Sequence, residues 1–218
     1  ISWYVPENMG IIASARQLGI TTVEVQHGHQ GKFHAGNSGW NFFPNKGFIN
    51  MPDIFWCWGE ATIKHILNEA PDRNLHKPIL GGYAWPNWYK NFIKKNYYKD
   101  TNKAAKIRLL FTMQHTHGYS IDEPLPDGLL KLLKTYDDLY KNTNQKVFEL
   151  KIRLHPNNIS TNKNFLKKRL DKLYYSDLIS YSSKLNASFY DDLQWSNHHL
   201  TCYSSCALEA LVFGIKSA

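Results

Sequence analysis

The spacing of apolar and polar positions divides the first half of the chain into alternating helices and strands. Residues 7–18 carry an apolar stripe at helical spacing, formed by Ile11, Ile12, Ala15 and Leu18. Gly19 provides the expected C-terminal end of that helix. Further along, strands are predicted in "ITTVEVQ", "DIFWCWG" and "KPILGG", with a helix in "EATIKHILNEA". This alternation is typical of a parallel sheet flanked by helices.

The second half repeats the alternation after an aromatic, turn-rich stretch. Strands are predicted in "KIRLLFTMQ", "KVFELKIRLHP", "DLISY" and "HHLTCY", and helices in "DGLLKLLKTYDDLYKN", "NKNFLKKRLDKLYY", "SFYDDLQWS" and "SCALEALVFG". Asp127 and Ser188 are expected to cap two of these helices. We therefore expect an α/β protein with two Rossmann-like domains: a partial first domain over residues 1–82, a linker over 83–105 and a second domain over 106–218.

Composition is that of a globular protein. Of the 218 residues 43% are apolar, which is enough for a core, and no run approaches the ~20 apolar residues that a membrane span needs. The chain begins with Ile and stops where a last strand begins, so we expect a piece of a longer protein. Three cysteines without disulfide spacing indicate a reducing compartment, and hence a cytoplasmic location.

The formal charge of +8 favours an anionic ligand, an anionic membrane surface or nucleic acid. The basic residues are dispersed, with a local concentration at residues 90–99, and no nucleic-acid-binding motif is present. We therefore expect no nucleic-acid partner. Residues 87–99 have aromatic residues at near-helical spacing among lysines, which suits either peripheral contact with an anionic membrane or a linker packed on the body.

The segment "RLHP" places an imidazole at the end of a predicted strand. Pro156 cannot continue a central strand, so the strand ends at His155. In doubly wound sheets, ligands bind beyond the carboxyl ends of the strands. Arg153 shares a strand face with His155 and is expected to point toward the same cleft. The alternative is an ordinary exposed strand end.

The segment "CYSSCALEA" leads from a strand through two hydroxyl residues into a helix. Serine hydroxyls and the free N–H groups of a helix start attract phosphate, which makes Ser204 and Ser205 candidate phosphate ligands. Glu209 lies four residues after Ser205, one too many for a capping box, and is a candidate acceptor for ribose hydroxyls. Simple helix capping by serine is the alternative.

The segment "VEVQHGHQG" runs from a strand into histidines and glycines. An imidazole near neutral pKa can remove a proton from a hydroxyl, so His27 is the candidate base, with Glu24 as its acidic neighbour. Gly28 and Gln30 are expected near the same cleft. A glycine-rich turn with a structural histidine explains the segment equally well.

A second histidine pair, in "QHTHG", follows the first strand of the second half. His115 and His117 are therefore candidate cleft residues, although a plain polar turn accounts for them as well. None of the paired histidines has the ligand spacing of a zinc site, and no metal is expected.

Three of these segments, "EVQHGHQG", "RLHP" and "YSSCALEALVFGIKSA", resemble bacterial surface-polysaccharide glycosyltransferases of GT-B fold. They are similar to transferases that use CMP-activated sugars and to CDP-glycerol glycerophosphotransferases. The resemblance implies that His155, Pro156, Ser204 and Ser205 hold the nucleotide phosphates and that His27 acts as the base. The two-carboxylate motif of the sialyltransferases is not found in this chain.

The resemblance predicts an inverting, metal-independent glycosyltransferase without a cofactor. Its donor would be a nucleotide sugar, CMP- or CDP-linked in preference to UDP-linked, and its acceptor a cell-envelope polysaccharide or lipid-linked glycan. The protein would act in the cytoplasm, with peripheral contact to the inner face of the membrane. Two alternatives stay open: a nucleotide-sugar epimerase of the same fold, and a non-catalytic module that binds a nucleotide or an anionic glycan.

Overall fold

The computed structural model describes residues 3–28, 30–32, 34, 36, 38–40, 47–70, 76–89, 91, 107–113, 125–145, 147–156, 163–164, 166–167, 170–172, 176, 179–185, 188–202 and 204–218. The chain divides into two compact units, Ile1–Trp85 and Pro86–Ala218. Of the linker predicted over 83–105, the structure describes residues 83–89 and 91.

The first unit contains a three-stranded parallel sheet of order β1-β2-β3. The strands are β1 (Val23–Val25), β2 (Ile54–Cys57) and β3 (Lys77–Leu80). Helix α1 (Pro6–Gln17) precedes β1, and helix α2 (Glu60–Glu69) connects β2 to β3. Proline in the first turn of α1 and Gly19 at φ +70° just after it fix the two ends of that helix.

Helix α1 buries less of its predicted apolar stripe than expected. Ile12 is buried, whereas Ile11 and Leu18 are exposed. Ala15 is partly buried, so Ile12 is the one residue of the predicted stripe that is fully buried. The core of the unit lies instead around Trp40, Met51, Phe55, Cys57 and Ile66.

The second unit contains a five-stranded parallel sheet of order β6-β5-β4-β7-β8. Its elements are α3 (Ala84–Trp88, which begins in the first unit), β4 (Ile107–Thr112), α4 (Asp127–Thr143), β5 (Phe148–Arg153), β6 (Ile179–Ser182), α5 (Phe189–Trp195), β7 (His198–Leu200), α6 (Cys206–Val212) and β8 (Lys216–Ser217). The central strand β4 is apolar and mostly buried because α4 packs on one face of the sheet while α5 and α6 pack on the other.

Two expected helix caps have different outcomes. Ser188 caps α5 as predicted: its hydroxyl accepts from the Tyr190 N–H, and the Asp191 carboxylate accepts from the Ser188 N–H. The cap predicted for α4 is wrong, because Pro126 occupies the N-cap position and Asp127 is the first helical residue. An acidic side chain in that first turn still interacts favourably with the helix dipole.

The predicted helix of "NKNFLKKRLDKLYY" is described only in part. Leu166 and Leu170 are buried in the main core of the second unit, and Phe165 and Leu173 lie outside the described residues. Among the helices that the structure describes, none is both long and apolar enough to cross a bilayer. The predicted location and membrane contact stay predictions.

Candidate functional site

The carboxyl ends of three neighbouring strands define one edge of the second sheet. Thr112 at the end of β4 is paired with Arg153 at the end of β5, and Phe111 is paired with Leu200 at the end of β7. Because the strands are parallel, the segments after β5 and β7 emerge at the same edge, on either side of β4. His155 and the Ser204–Ser205 turn therefore share the edge at which doubly wound sheets bind ligands.

Arg153 is held at this edge by a buried carboxylate. Its Nη1 donates to Oδ2 of Asp192 at 2.6 Å, Lys151 Nζ lies 3.3 Å from Oδ1, and Ser182 Oγ donates to Oδ2 at 2.5 Å. Asp192, on α5, is only 1% exposed. Two cations share this one buried carboxylate, which holds the Arg153 guanidinium in a fixed position at the edge.

The positions of His155 and Pro156 follow from the end of β5. Leu154 is buried and its N–H donates to the Ser182 carbonyl, so the ladder with β6 continues to that residue. His155 is half-buried, and Pro156 is exposed. Their predicted role in phosphate binding stays a prediction, now at a defined place in the fold.

The serine turn leads into a short helix. Ser204 Oγ accepts from the Cys206 N–H at 3.2 Å, and Ser205 occupies the N-cap position of α6 without a side-chain capping bond. Burial raises the pKa of the Cys206 thiol; the Glu209 carboxylate adds to that rise, while Ser204, Arg153 and Thr112 oppose it. The serine turn therefore lies near both the Arg153 guanidinium and the Glu209 carboxylate.

Glu209 occupies the first turn of α6 and is almost fully buried. Tyr190 Oη, from α5, donates to Glu209 Oε1 at 3.1 Å. This partner comes from another helix and could not be inferred from the local sequence. The predicted contact of Glu209 with ribose hydroxyls stays a prediction. His115 and His117 lie outside the described residues.

A buried histidine links three strands just beneath the edge. His199 Nε2 lies 3.0 Å from Thr112 Oγ1 and its Nδ1 lies 2.7 Å from Ser217 Oγ. Burial lowers the pKa of His199 to about 4. The imidazole is therefore neutral at pH 7 and accepts or donates within the sheet rather than carrying charge.

We expect His199 to make stability depend on pH. Between pH 6.5 and about 4 the unfolded chain binds a proton that the native imidazole does not, so the free energy of unfolding falls as the pH is lowered through this window. The full loss is about 3 kcal/mol. Urea denaturation at several pH values measures it. In His199→Asn this part of the pH dependence should disappear; an unchanged slope would contradict the assignment.

In the first unit, His27 lies just beyond the carboxyl end of β1. Its Nε2 lies 2.8 Å from Tyr4 Oη, and partial burial, together with the nearby charge of His34, lowers the pKa of His27. Tyr4 precedes α1 by two residues and was not among the residues predicted from sequence. His27 as a base stays a prediction, and its observed hydrogen-bond partner is Tyr4.

Glu24 and Gln30 are buried rather than facing solvent. Glu24 is 1% exposed and lies on the core face of β1, where it raises the pKa of the Cys57 thiol after the larger effect of burial. Its predicted partnership with His27 stays a prediction. Gly28 is half-buried, and its carbonyl accepts from Gln26 Nε2 at 2.9 Å.

Gly81 shows how tightly this end of the first sheet is packed. A Cβ at Gly81 would lie 1.9 Å from Trp56 Cε2, so Gly81→Ala must displace the indole. We expect the free energy of unfolding to fall by about 1–3 kcal/mol. Gly10→Ala, in α1, meets nothing within 4 Å and should instead raise it by about 0.5–1 kcal/mol. Urea denaturation distinguishes the two; equal effects would contradict the packing.

No protein-family model matches the sequence, and no curated protein matches it significantly. Solved structures match nearly the whole chain. A Listeria monocytogenes protein assigned as a UDP-N-acetylglucosamine 2-epimerase gives a TM-score of 0.61 at 16% identity, covering 96% of this chain and 52% of its own. MnaA of S. aureus, solved with UDP, gives a TM-score of 0.58 at 14% identity, and the match covers 97% of this chain and 61% of MnaA. The UDP-GlcNAc 2-epimerase of Methanocaldococcus jannaschii, solved with UDP-GlcNAc and UDP, gives a TM-score of 0.57 at 14% identity. That match covers 93% of this chain and 54% of the epimerase.

These matches confirm the predicted fold class, α/β with parallel, Rossmann-like sheets of the GT-B type. The chain spans about half the length of the structures it matches. They also correct the reaction expected from the sequence. The matched structures are 2-epimerases rather than sugar transferases, so the glycosyltransferase prediction is wrong and the epimerase alternative is better supported.

Proposed function

We propose that this chain is part of an enzyme that epimerises the sugar of a nucleotide sugar, with UDP-N-acetylglucosamine or a close analogue as substrate. The observation that carries the proposal is the likeness over 93–97% of the chain to structures solved with UDP or assigned as 2-epimerases. UDP takes the place of the CMP- or CDP-linked donor expected from the sequence resemblance.

The edge of the second sheet supplies residues that suit the diphosphate. Arg153 brings a positive charge that Asp192 holds in position, and Ser204 and Ser205 bring hydroxyl groups at the neighbouring strand end. His155 adds an imidazole between the end of β5 and Pro156. Positive charge and donors fixed in advance stabilise the negative charge of phosphate without reorganisation.

Glu209 and Tyr190 supply the complementary polar group for the nucleoside. The Glu209 carboxylate is fixed by the Tyr190 hydroxyl at 3.1 Å, so its second oxygen has a defined direction. A carboxylate is acceptor-only when ionised and matches the paired hydroxyls of a ribose. The strand ends thus bind the phosphates, and the first turn of α6 binds the ribose.

Product analysis without an acceptor tests the reaction. The protein is incubated with UDP-N-acetylglucosamine alone, and proton NMR follows the configuration at C2 of the sugar. We expect the C2 epimer to accumulate to a fixed ratio, because epimerisation is reversible and needs no second substrate. An unchanged substrate, in a protein that calorimetry shows to bind UDP, would contradict the epimerase and leave a nucleotide-binding module.

A further inference from the structure

A cavity of about 440 Å³ lies at the carboxyl edge of the first sheet, and its described lining contains none of the residues assigned to the nucleotide. This lining comes from the ends of β1 and β2, from the segment between β3 and α3, and from the start of α3. It includes Trp56, Trp58, Tyr83, Trp85 and His27. Its volume falls within the range of small-molecule sites, roughly 300–1,000 Å³. We propose that this cavity binds an uncharged sugar ring, of the hexose or N-acetylhexosamine class, against its aromatic walls.

The walls are held in place before any ligand binds. Trp56 Nε1 donates to the Gly82 carbonyl at 3.0 Å, and the rings of Trp58 and Tyr83 stack with centroids 3.9 Å apart and planes 12° apart. Gln26 is buried and accepts from the Trp58 N–H at 2.7 Å. A ligand that meets pre-positioned rings does not have to order them, which favours binding.

The charge of the lining disfavours an anionic ligand. None of the described residues that line the cavity is Asp, Glu, Lys or Arg. The titratable imidazole in the lining, that of His27, has a pKa lowered by partial burial and by His34, so it is mostly neutral at pH 7. A phosphate would lose its hydration here without gaining a counter-charge.

A sugar ring matches this combination of surfaces. Its C–H face is apolar and can lie against indole and phenol rings, while its hydroxyl rim needs hydrogen-bonding groups such as the imidazole of His27 and the hydroxyl of Tyr83. Trp85 adds a large aromatic surface that is 63% exposed. Exposed aromatic surface beside a cavity is characteristic of binding sites.

Helix α3 offers a matched pair of variants. Trp85→Ala removes a cavity wall, whereas Trp88→Ala removes an exposed tryptophan three residues later that is not part of the described lining. Calorimetric titration uses N-acetylglucosamine and its β1,4-linked trimer as probes. We expect affinity in the millimolar range that falls about fivefold or more in Trp85→Ala and stays within about twofold in Trp88→Ala.

The sugar could be a free glycan or the sugar moiety of a nucleotide sugar, and further titrations separate these sources. Weaker binding of UDP-N-acetylglucosamine by Trp85→Ala, with UDP binding unchanged, assigns the cavity to the nucleotide-linked sugar. If Trp85→Ala weakens binding of the free sugars alone, the cavity is the site of a separate glycan. No sugar binding, or equal binding by both variants, would overturn the proposal, while UDP binding measured in the same experiment tests the nucleotide site independently.

Discussion

Replacing Asp192 with Asn should destabilise the second unit by about 3–5 kcal/mol, since it leaves two partly buried cations without their carboxylate. The carboxylate is 1% exposed and contacts Arg153, Lys151 and Ser182. Asparagine keeps the shape of the side chain, so the loss reports charge rather than volume. Urea denaturation measures the change in the free energy of unfolding.

Asp138→Asn is the matched control for that substitution. Asp138 is exposed on α4, and its charge adds to the larger effect of the Asp137 hydrogen bond in raising the pKa of the neighbouring Lys141 ammonium. Water replaces most of what an exposed carboxylate loses, so a much smaller change in the free energy of unfolding is expected. Similar losses in the two variants would mean that the Asp192 network contributes no more than a surface carboxylate.

Replacing His155 with Ala should weaken UDP binding by roughly 10- to 100-fold while leaving the melting temperature nearly unchanged. A hydrogen bond to a charged group contributes about 1.5–3 kcal/mol, which corresponds to this range of affinity. His155 is only half-buried and follows the last ladder residue of β5, so little packing is lost. Calorimetric titration gives the affinity, and thermal unfolding gives the stability.

His198→Ala separates the effect of position from that of residue type. His198 is exposed at the start of β7, and its Nδ1 lies 2.8 Å from Asn197 Oδ1 at the amino edge of the sheet. The His198→Ala variant should bind UDP with the same affinity as the unmodified protein. If His198→Ala weakened binding as much as His155→Ala, or if neither did, the carboxyl edge would not be the nucleotide site.

The strands and most helices could be predicted because their signals are local. Pro156 lies three residues after the end of β5, Gly19 lies two residues after the end of α1, and the Ser188–Asp191 capping box lies within four residues. The partners that orient the candidate groups could not be predicted, since they join distant segments. Tyr4 and His27 are 23 residues apart, and Arg153 and Asp192 are 39 apart.

The motifs could not indicate which reaction the enzyme catalyses, for a physical reason. A histidine after a strand and two serines before a helix report affinity for phosphate, which any enzyme acting on a nucleotide sugar needs. They do not report whether the sugar is transferred or inverted at one carbon. The likeness in fold to 2-epimerases corrects that inference without changing the residues proposed for the phosphates.

A crystal structure of the protein with UDP tests the central claim most directly. We expect the diphosphate at the carboxyl edge of the second sheet, with phosphate oxygens within hydrogen-bonding distance of His155 and Ser204 and with the ribose beside Glu209. Phosphates bound at another surface, or a nucleotide that contacts neither His155 nor the serine turn, would contradict the account.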